Sequence, residues 1–501
     1  MKKIAFAGTD GRTLLCAYTV ATALPDNAAE TYEGIVVRGT PAMPVVAGEL
    51  NWPVTFISTR SNKVEDYAEA IIEAMQKNEI DLVVPMPEAL LFEGLVDRVS
   101  SAGFANRILG LTESAAFVEG DKIRCKELCD EGGVPVADAW AEVDAKDREK
   151  IIAVCLQYLH QFGGAVLKYP YSAAGKGARI ITSTWDIAQT IDDLLADYKA
   201  AYTEQFGEKG MWPLLIESRM AGVEISFTIL ADGNGNFQIL PTAMDYPERF
   251  AGPPTKSNPI TGGGGAISPH PMETPELMQM AADTIARPFV NILQQKGYLR
   301  PCILYPGCFV SLDENGLPTQ IRVAEVNIRP GEPEAQPVMR RLRNLGDLLM
   351  GTIENRLEQV TPIVREDQIS ATLALVTGPG GPDGQKGYPW RVTKGERVEM
   401  DLPYLKKKGI QIIVSAMTND EGVLKSDGTR AAFLNANASV KENETPGLIG
   451  EQLHQKLLGA FDQGKVRVVP REDEAGNRLD ARRDIALQYA MKEKLYPIRK
   501  K

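Results

Sequence analysis

The sequence predicts an α/β protein with a parallel-sheet domain at its N-terminus, a larger mixed region after it, and a small β-rich C-terminal domain. Three observations carry this. Apolar runs alternate with amphipathic helical segments over the first hundred residues, hairpin turns and glycine loops separate strands in the middle, and beyond Glu366 the texture becomes short strands between turns. A chain of 501 residues is too long for one ordinary domain, so about three are expected. We place them at 1–111 (an N-terminal α/β substrate domain), 112–365 (with a lid subdomain at about 125–207) and 366–501.

The first segment, KKIAFAGTDGRTLL, reads as a strand, a glycine turn and a helix start, and GIVVRG and IDLVVPMPEAL repeat the strand. The amphipathic DYAEAIIEAMQKNE lies between those two, which implies a parallel sheet with crossover helices. Ligands then collect at the carboxyl ends of the strands. Gly8, Gly11 and Arg12 follow the first strand and Glu88 follows a later one, all on that rim. GTDG lacks the third glycine of a dinucleotide fingerprint, so no such cofactor is expected.

A helix begins near Thr112 and runs with interruptions to GGVP. From Trp140 to Met211 the pattern is helix, strand, glycine loop, strand, helix, a compact insert suited to a lid. Within it FGGAVLKYPYSAAGKGAR ends an apolar strand on Lys168 and carries Lys176 in a flexible loop. The loop is not a Walker A sequence, because Gly177 stands where that motif needs Ser or Thr. The DGNG turn marks an antiparallel hairpin, and the Gly- and Pro-rich stretch from Tyr246 to Pro271 is long enough to be functional. A helix near 277–296, a strand pair around CILYPGCFVSL and QIRVAEVNIRPGEPEAQ, and a helix through 339–357 follow. The strands of ISATLALVTGPGG, GIQIIVSAM and KVRVV then make a separate small domain closed by RRDIALQYAMKEK.

Composition narrows the function. No apolar run approaches the ~18 residues of a membrane span, and Gly8 and Asp10 break the N-terminal run before it becomes a signal sequence, so a cytoplasmic protein with no membrane partner is expected. A net charge of −11 argues against nucleic acid as a partner. The six cysteines form no metal-binding pattern with a histidine and read as buried free thiols. Three separated histidines leave the chemistry to Lys, Arg, carboxylates and backbone amides.

In VAEVNIRPGEPEAQ, Glu325 and Asn327 are two apart and project from one strand face, as hard oxygen ligands suited to Mg²⁺ (or Mn²⁺). Arg329 follows on the same face, placed for a transferring phosphoryl group. Lys122 and Lys168 are placed to meet nucleotide phosphates, and lid amides around Gly175 and Gly177 add anion donors.

Together the segments EGDK (ending at Lys122), LKYPYSAAGKG, LIESRMAGVEIS, TGGGGAISP and VAEVNIRPGEPEAQ resemble, in this order, the ATP-grasp superfamily and within it the glycinamide ribonucleotide synthetases. The resemblance covers nearly the whole chain, to RRDIA. It implies an ATP-grasp fold preceded by the parallel-sheet domain, with ATP and Mg²⁺ as cofactors and small-molecule substrates, in a monomer or small homo-oligomer. It implies adenine contacts from the backbone of Glu217 onward, ribose contacts from Glu224, and catalytic roles for Arg329 and Lys176. Gly8, Gly11, Arg12, Glu88, Asp245, Thr261, Gly262 and Gly263 would face the substrates, glycine and 5-phosphoribosylamine. The family reaction is a two-step ligation through an acyl phosphate, in purine synthesis. The chain departs from the family pattern around the substrate: GTDGRTLL stands for GSGGREHA, PITGGGGAISP for PNTGGMGAYSP and GEPEAQ for GDPETQ. A ligase or carboxylase acting on another amine or carboxylate therefore stays open, and a nucleotide-binding protein without turnover ranks below both.

Overall fold

Four parallel strands, β1 (Lys2–Gly8), β2 (Tyr32–Arg38), β3 (Val54–Ile57) and β4 (Leu82–Pro85), build the N-terminal sheet in the order β3-β2-β1-β4. The structure is a computed structural model and describes residues 1–22, 31–171, 177–255, 257–378, 387–390, 394–469 and 479–495. The sheet is covered on both faces. Ile4 and Phe6 of β1 enter one hydrophobic core while Ala5 and Ala7 enter another, as the two-residue period of a strand demands. β3 was not anticipated, because VTFI is only partly buried and carries no clear alternation. The helix α1 (Gly11–Thr22) leaves β1 at once, so Gly8 and Pro87 meet on the rim where β1 and β4 end.

The insert is a four-stranded antiparallel sheet of β5 (Trp140–Asp144), β6 (Ala165–Lys168), β7 (Ala178–Ile181) and β8 (Pro213–Ser218), ordered β5-β8-β6-β7. Helices Arg148–Phe162 and Ile187–Phe206 pack on it, and its core is its own, around Ile151, Cys155, Tyr202 and Leu214. Tyr202 stacks on Trp212 at 5.2 Å and donates its hydroxyl to Pro213 O at 2.6 Å.

A second sheet carries β9 (Val223–Ser226), β10 (Ile229–Ala231), β11 (Phe237–Ile239), β14 (Cys302–Leu312) and β15 (Pro318–Asn327), with β14 at its centre. The DGNG hairpin is its β10-β11 pair. The C-terminal sheet corrects an expectation. It is not a separate unit built from 366–501 alone, because β12 (Met244–Asp245) and β13 (Gly265–Ser268), which flank the glycine loop, pair into it through β16 (Gln368–Thr377). Strands Arg430–Ser439 and Gln411–Val414 extend it. All four residues of β13 are buried, and a strand buried on both faces needs a partner sheet that its short glycine-bounded sequence does not announce. Phe433 and Leu434 of this sheet share one core with Ile4 and Phe6 of the first.

The helix expected over 339–357 is two, Ala335–Arg341 and Leu345–Ile353. Asn344 holds the break, donating to Thr361 O at 2.9 Å and accepting from Ile363 N at 2.8 Å. All six cysteines are buried free thiols, and no helix among the described residues is long and apolar enough to cross a membrane.

Because the insert has its own core, Tyr202→Ala should destabilise it locally by about 3–5 kcal/mol, the usual cost of truncating a large buried aromatic. Hydrogen exchange should then accelerate across 140–218 while protection of β1 and β4 is retained. Uniform loss of protection would show instead that the insert shares its stability with the rest.

Candidate active site

A cleft of roughly 370 Å³ opens between the helix Lys122–Gly132, the ends of β9, β14 and β15, and the glycine loop before β13. Glu325 and Asn327 project into it side by side from β15, opposite Gly307 and Tyr305 of β14. Glu325 makes no hydrogen bond or ion pair among the described residues, and Asn327 donates only to Tyr305 O at 3.4 Å. Glu224 on β9 faces the same space. Its carboxyl is reached by solvent in the cleft yet enclosed by protein, and burial, followed by the charges of Glu325, Glu248 and Glu334, pushes its pKa up to about 7. Lys492 pulls in the opposite direction without outweighing them. Among the described residues no three His, Cys, Asp or Glu side chains are arranged to hold a metal, which fits an ion that takes few protein ligands and the rest from phosphate and water.

Asp121 caps the helix Lys122–Gly132, accepting from Ile123 N at 3.1 Å and Arg124 N at 3.2 Å. That fixes Lys122 at its first turn, lining the cleft with no side-chain partner among the described residues. One turn later Lys126, missed in the sequence, is buried against Glu217 at 2.5 Å, and Lys168 reaches the other oxygen of Glu217 at the same distance. Lys168 also donates to Ala324 O at 3.1 Å. The backbone of Glu217 lies in the central strand β8, paired to Trp140 and Val166 on either side, and its carboxylate is shut between two ammonium groups. The signal available was the four-residue spacing of Lys122 and Lys126, which puts both on one helix face. Gly177 lies off the cleft, its carbonyl accepting from Tyr169 N at 2.8 Å. Gly175 and Lys176 fall outside the described residues.

Arg329 stands between two carboxylates, Glu88 at 3.3 Å and Glu119 at 3.2 Å. Glu119 was also missed, although it opens the EGDK segment. Burial pushes its carboxyl up against the pull of Arg329, and its second oxygen accepts from Ile328 N at 2.8 Å.

At the rim most polar groups are engaged within the chain. Gly8 and Gly11 do not line the cleft. A side chain at Gly11 would strike Glu332 Oε1 at 2.8 Å and Phe433 at 2.9 Å, so its role is close packing. Arg12 is buried, giving one amino group to Asp10 at 2.6 Å and the other to Pro330 O. The first turn of α1 is filled by carboxylates: Glu332 accepts from Arg12 N at 3.0 Å and Asp10 from Thr13 N at 3.1 Å. The loop amides are equally committed. Thr261 N donates to Pro247 O, Gly262 N to the Tyr388 hydroxyl at 2.9 Å, Gly263 N to Thr261 Oγ1 and Gly264 N to Tyr246 O. Gly263 takes φ +93°, and a side chain there would meet Pro333 at 2.3 Å. Asp245 beside it lines the cleft with a buried Oδ1 that has no hydrogen-bond partner among the described residues, and burial, then Glu334 and Glu224, hold its carboxyl well above the usual range. Arg12, Glu88, Thr261 and Gly262 do line the cleft.

A parallel-sheet domain, a lid sheet and a carboxylate–amide pair on a central hairpin define the ATP-grasp class of enzymes. The chain matches the sequence profile of the phosphoribosylglycinamide synthetase ATP-grasp (A) domain over residues 120–335. It is 31% identical over 369 residues to the phosphoribosylamine–glycine ligase of Vibrio parahaemolyticus, covering 73% of this chain and 78% of that one, and 30% identical over 371 residues to that of Haemophilus influenzae, covering 73% and 78%. In fold it is similar to the phosphoribosylamine–glycine ligase of Thermotoga maritima (TM-score 0.68, 20% identity, 96% and 99% covered) and to a biotin carboxylase of Campylobacter jejuni crystallised with an ATP analogue (TM-score 0.61, 13% identity, 98% and 95% covered). The chain belongs to the phosphoribosylamine–glycine ligase family. It is an ATP-dependent ligase that uses ATP with a divalent metal.

The buried Lys126–Glu217–Lys168 group sets a pH dependence. Burial alone pushes the Glu217 carboxyl up, but Lys126 and Lys168 more than reverse it, so its folded pKa lies below the ordinary 4.5. A depressed carboxylate contributes stability that is present above its unfolded pKa and lost as pH falls through the folded value. Glu217→Gln should cost about 3–5 kcal/mol at neutral pH by leaving two buried ammonium groups unpaired. Urea unfolding of the variant should also show a weaker decline below about pH 4.5 than wild type.

Proposed function

We propose that this cleft joins glycine to 5-phosphoribosylamine at the expense of ATP, giving glycinamide ribonucleotide, ADP and phosphate. The observation that carries the reading is the open pair Glu325 and Asn327, with Lys122, unpaired among the described residues, on one side and Arg329 on the other. Glu325 and Asn327 fit Mg²⁺, with Mn²⁺ as the alternative, and an ion held there supplies charge neutralisation to the phosphates. Lys122 takes the nucleotide phosphates as a free cation, Lys168 adds charge from behind, and Glu224 accepts from ribose hydroxyls.

In the first step a carboxylate oxygen of glycine attacks the γ-phosphorus, the bond to ADP breaks, and glycyl phosphate forms. The amine nitrogen of phosphoribosylamine then attacks the glycyl carbonyl carbon, phosphate leaves with the C–O electron pair, and the nitrogen loses a proton. Arg329 is placed to hold the phosphoryl oxygens in both steps, with Glu88 and Glu119 fixing its guanidinium. Catalysis on this reading is positioning and charge stabilisation, without a covalent enzyme intermediate. The acceptor lies in the corner of Asp245, Thr261 and Gly262, where the buried Asp245 oxygen lacks a partner that a sugar hydroxyl or an amine would supply.

ADP release against a panel of amines and carboxylates tests the reading. Glycine and phosphoribosylamine together should stimulate it, and stimulation only by another pair would keep the ligase and remove the named substrates. Glu325→Ala should lower kcat by at least roughly 10², the scale of losing one key electrostatic contact. Lys122→Ala should weaken Mg-ATP binding by calorimetry, and unchanged affinity would remove Lys122 from the nucleotide site.

A further inference from the structure

The acceptor corner is closed by side chains from a strand that neither the sequence nor the reaction assigned. Arg430 begins the strand Arg430–Ser439 of the C-terminal sheet and lines the cleft, its side chain one-fifth exposed. Its guanidinium donates to Gly262 O and, at 2.8 Å, to Glu332 O, and meets the Glu332 carboxylate at 3.4 Å. The other side of Gly262 is held from the same sheet's periphery, its N–H donating to the Tyr388 hydroxyl at 2.9 Å. Phe433, three residues after Arg430, abuts Gly11 at the start of α1. One short stretch of chain therefore touches all three pieces of the acceptor wall: the glycine loop, the Glu332 turn and the first turn of α1.

Resting on the reading of the acceptor corner above, we propose that Arg430 and Tyr388 are positioning residues for acceptor specificity, clamping the Gly262 peptide from both sides. The clamp fixes how deep the loop sits beside Asp245, while Lys122, Glu325 and Asn327 on the nucleotide side are bonded to neither residue. Loss of a charge-assisted hydrogen bond of this kind changes an equilibrium by about tenfold or more.

The test uses the full-length enzyme with Arg430→Gln, Arg430→Lys and Tyr388→Phe. Arg430→Gln should raise KM for phosphoribosylamine by at least about tenfold while the Kd of Mg-ATP moves less than about twofold. Arg430→Lys, which keeps charge but not the fork, should recover part of the loss, and Tyr388→Phe should show the same split more weakly. Independently of substrate, hydrogen exchange over 258–266 should quicken in Arg430→Gln and Tyr388→Phe. Equal losses for ATP and acceptor, or an unchanged acceptor KM in Arg430→Gln and Tyr388→Phe, overturn the proposal. If wild type gives no ADP release with glycine and phosphoribosylamine, the named reaction falls, and unchanged exchange over 258–266 then sinks the clamp on its own terms.

Discussion

Glu217 is the point on which the catalytic geometry depends. Only 1% exposed, it binds one ammonium group from the helix Lys122–Gly132 and one from β6. Lys168 continues the chain of contacts to Ala324, the residue before Glu325 on β15. A single buried carboxylate thus ties the lid sheet, the phosphate-side helix and the metal-side strand into one register. Charges so enclosed are costly to take out of water, and an apolar replacement of similar volume would often be as stable. What the ionic arrangement adds is direction: each bond fixes a different element at a set distance from the cleft.

On the open side of the cleft the balance is reversed. Glu325, Glu248 and Glu334 act together on Glu224 and Lys492 opposes them only in part, while Lys122 has no side-chain partner among the described residues. A divalent ion and a polyphosphate each relieve what the other would worsen, the ion quenching the carboxylates and the phosphates answering the ion and the lysine. On the proposed reading the binding of the two is coupled through electrostatics, and by linkage the coupling acts equally in both directions. No lid movement is needed for this part of the cooperativity.

How much of this was legible in the sequence depended on the range of the signal. Apart from β3, strand and helix order along the first domain, the DGNG hairpin and the alternate placement of Glu325 and Asn327 follow from local periodicity, and the fold agrees with them. Lys126 and Glu119 lay inside segments already singled out, yet their pairing depends on which buried groups face each other across elements. The filling of the α1 terminus by Asp10 and Glu332 was hidden because its partners are 320 residues apart for Arg12 and Glu332. β13 misled for a related reason: GAIS has no alternation to display when both faces are covered, so its membership of the C-terminal sheet shows only in three dimensions.

That membership bears on how the protein is made. Gly262 and Arg430 are separated by 168 residues, and at ribosomal speeds of 5–20 residues per second the loop waits roughly 10 to 30 s for its partner strand. Until β16 emerges, β12 and β13 have buried faces and no further strand to cover them, while the insert already holds its own core. The strand of Arg430 thus finishes a wall begun much earlier, and the growing chain passes through a stage in which that wall is an exposed, sticky edge in want of shielding.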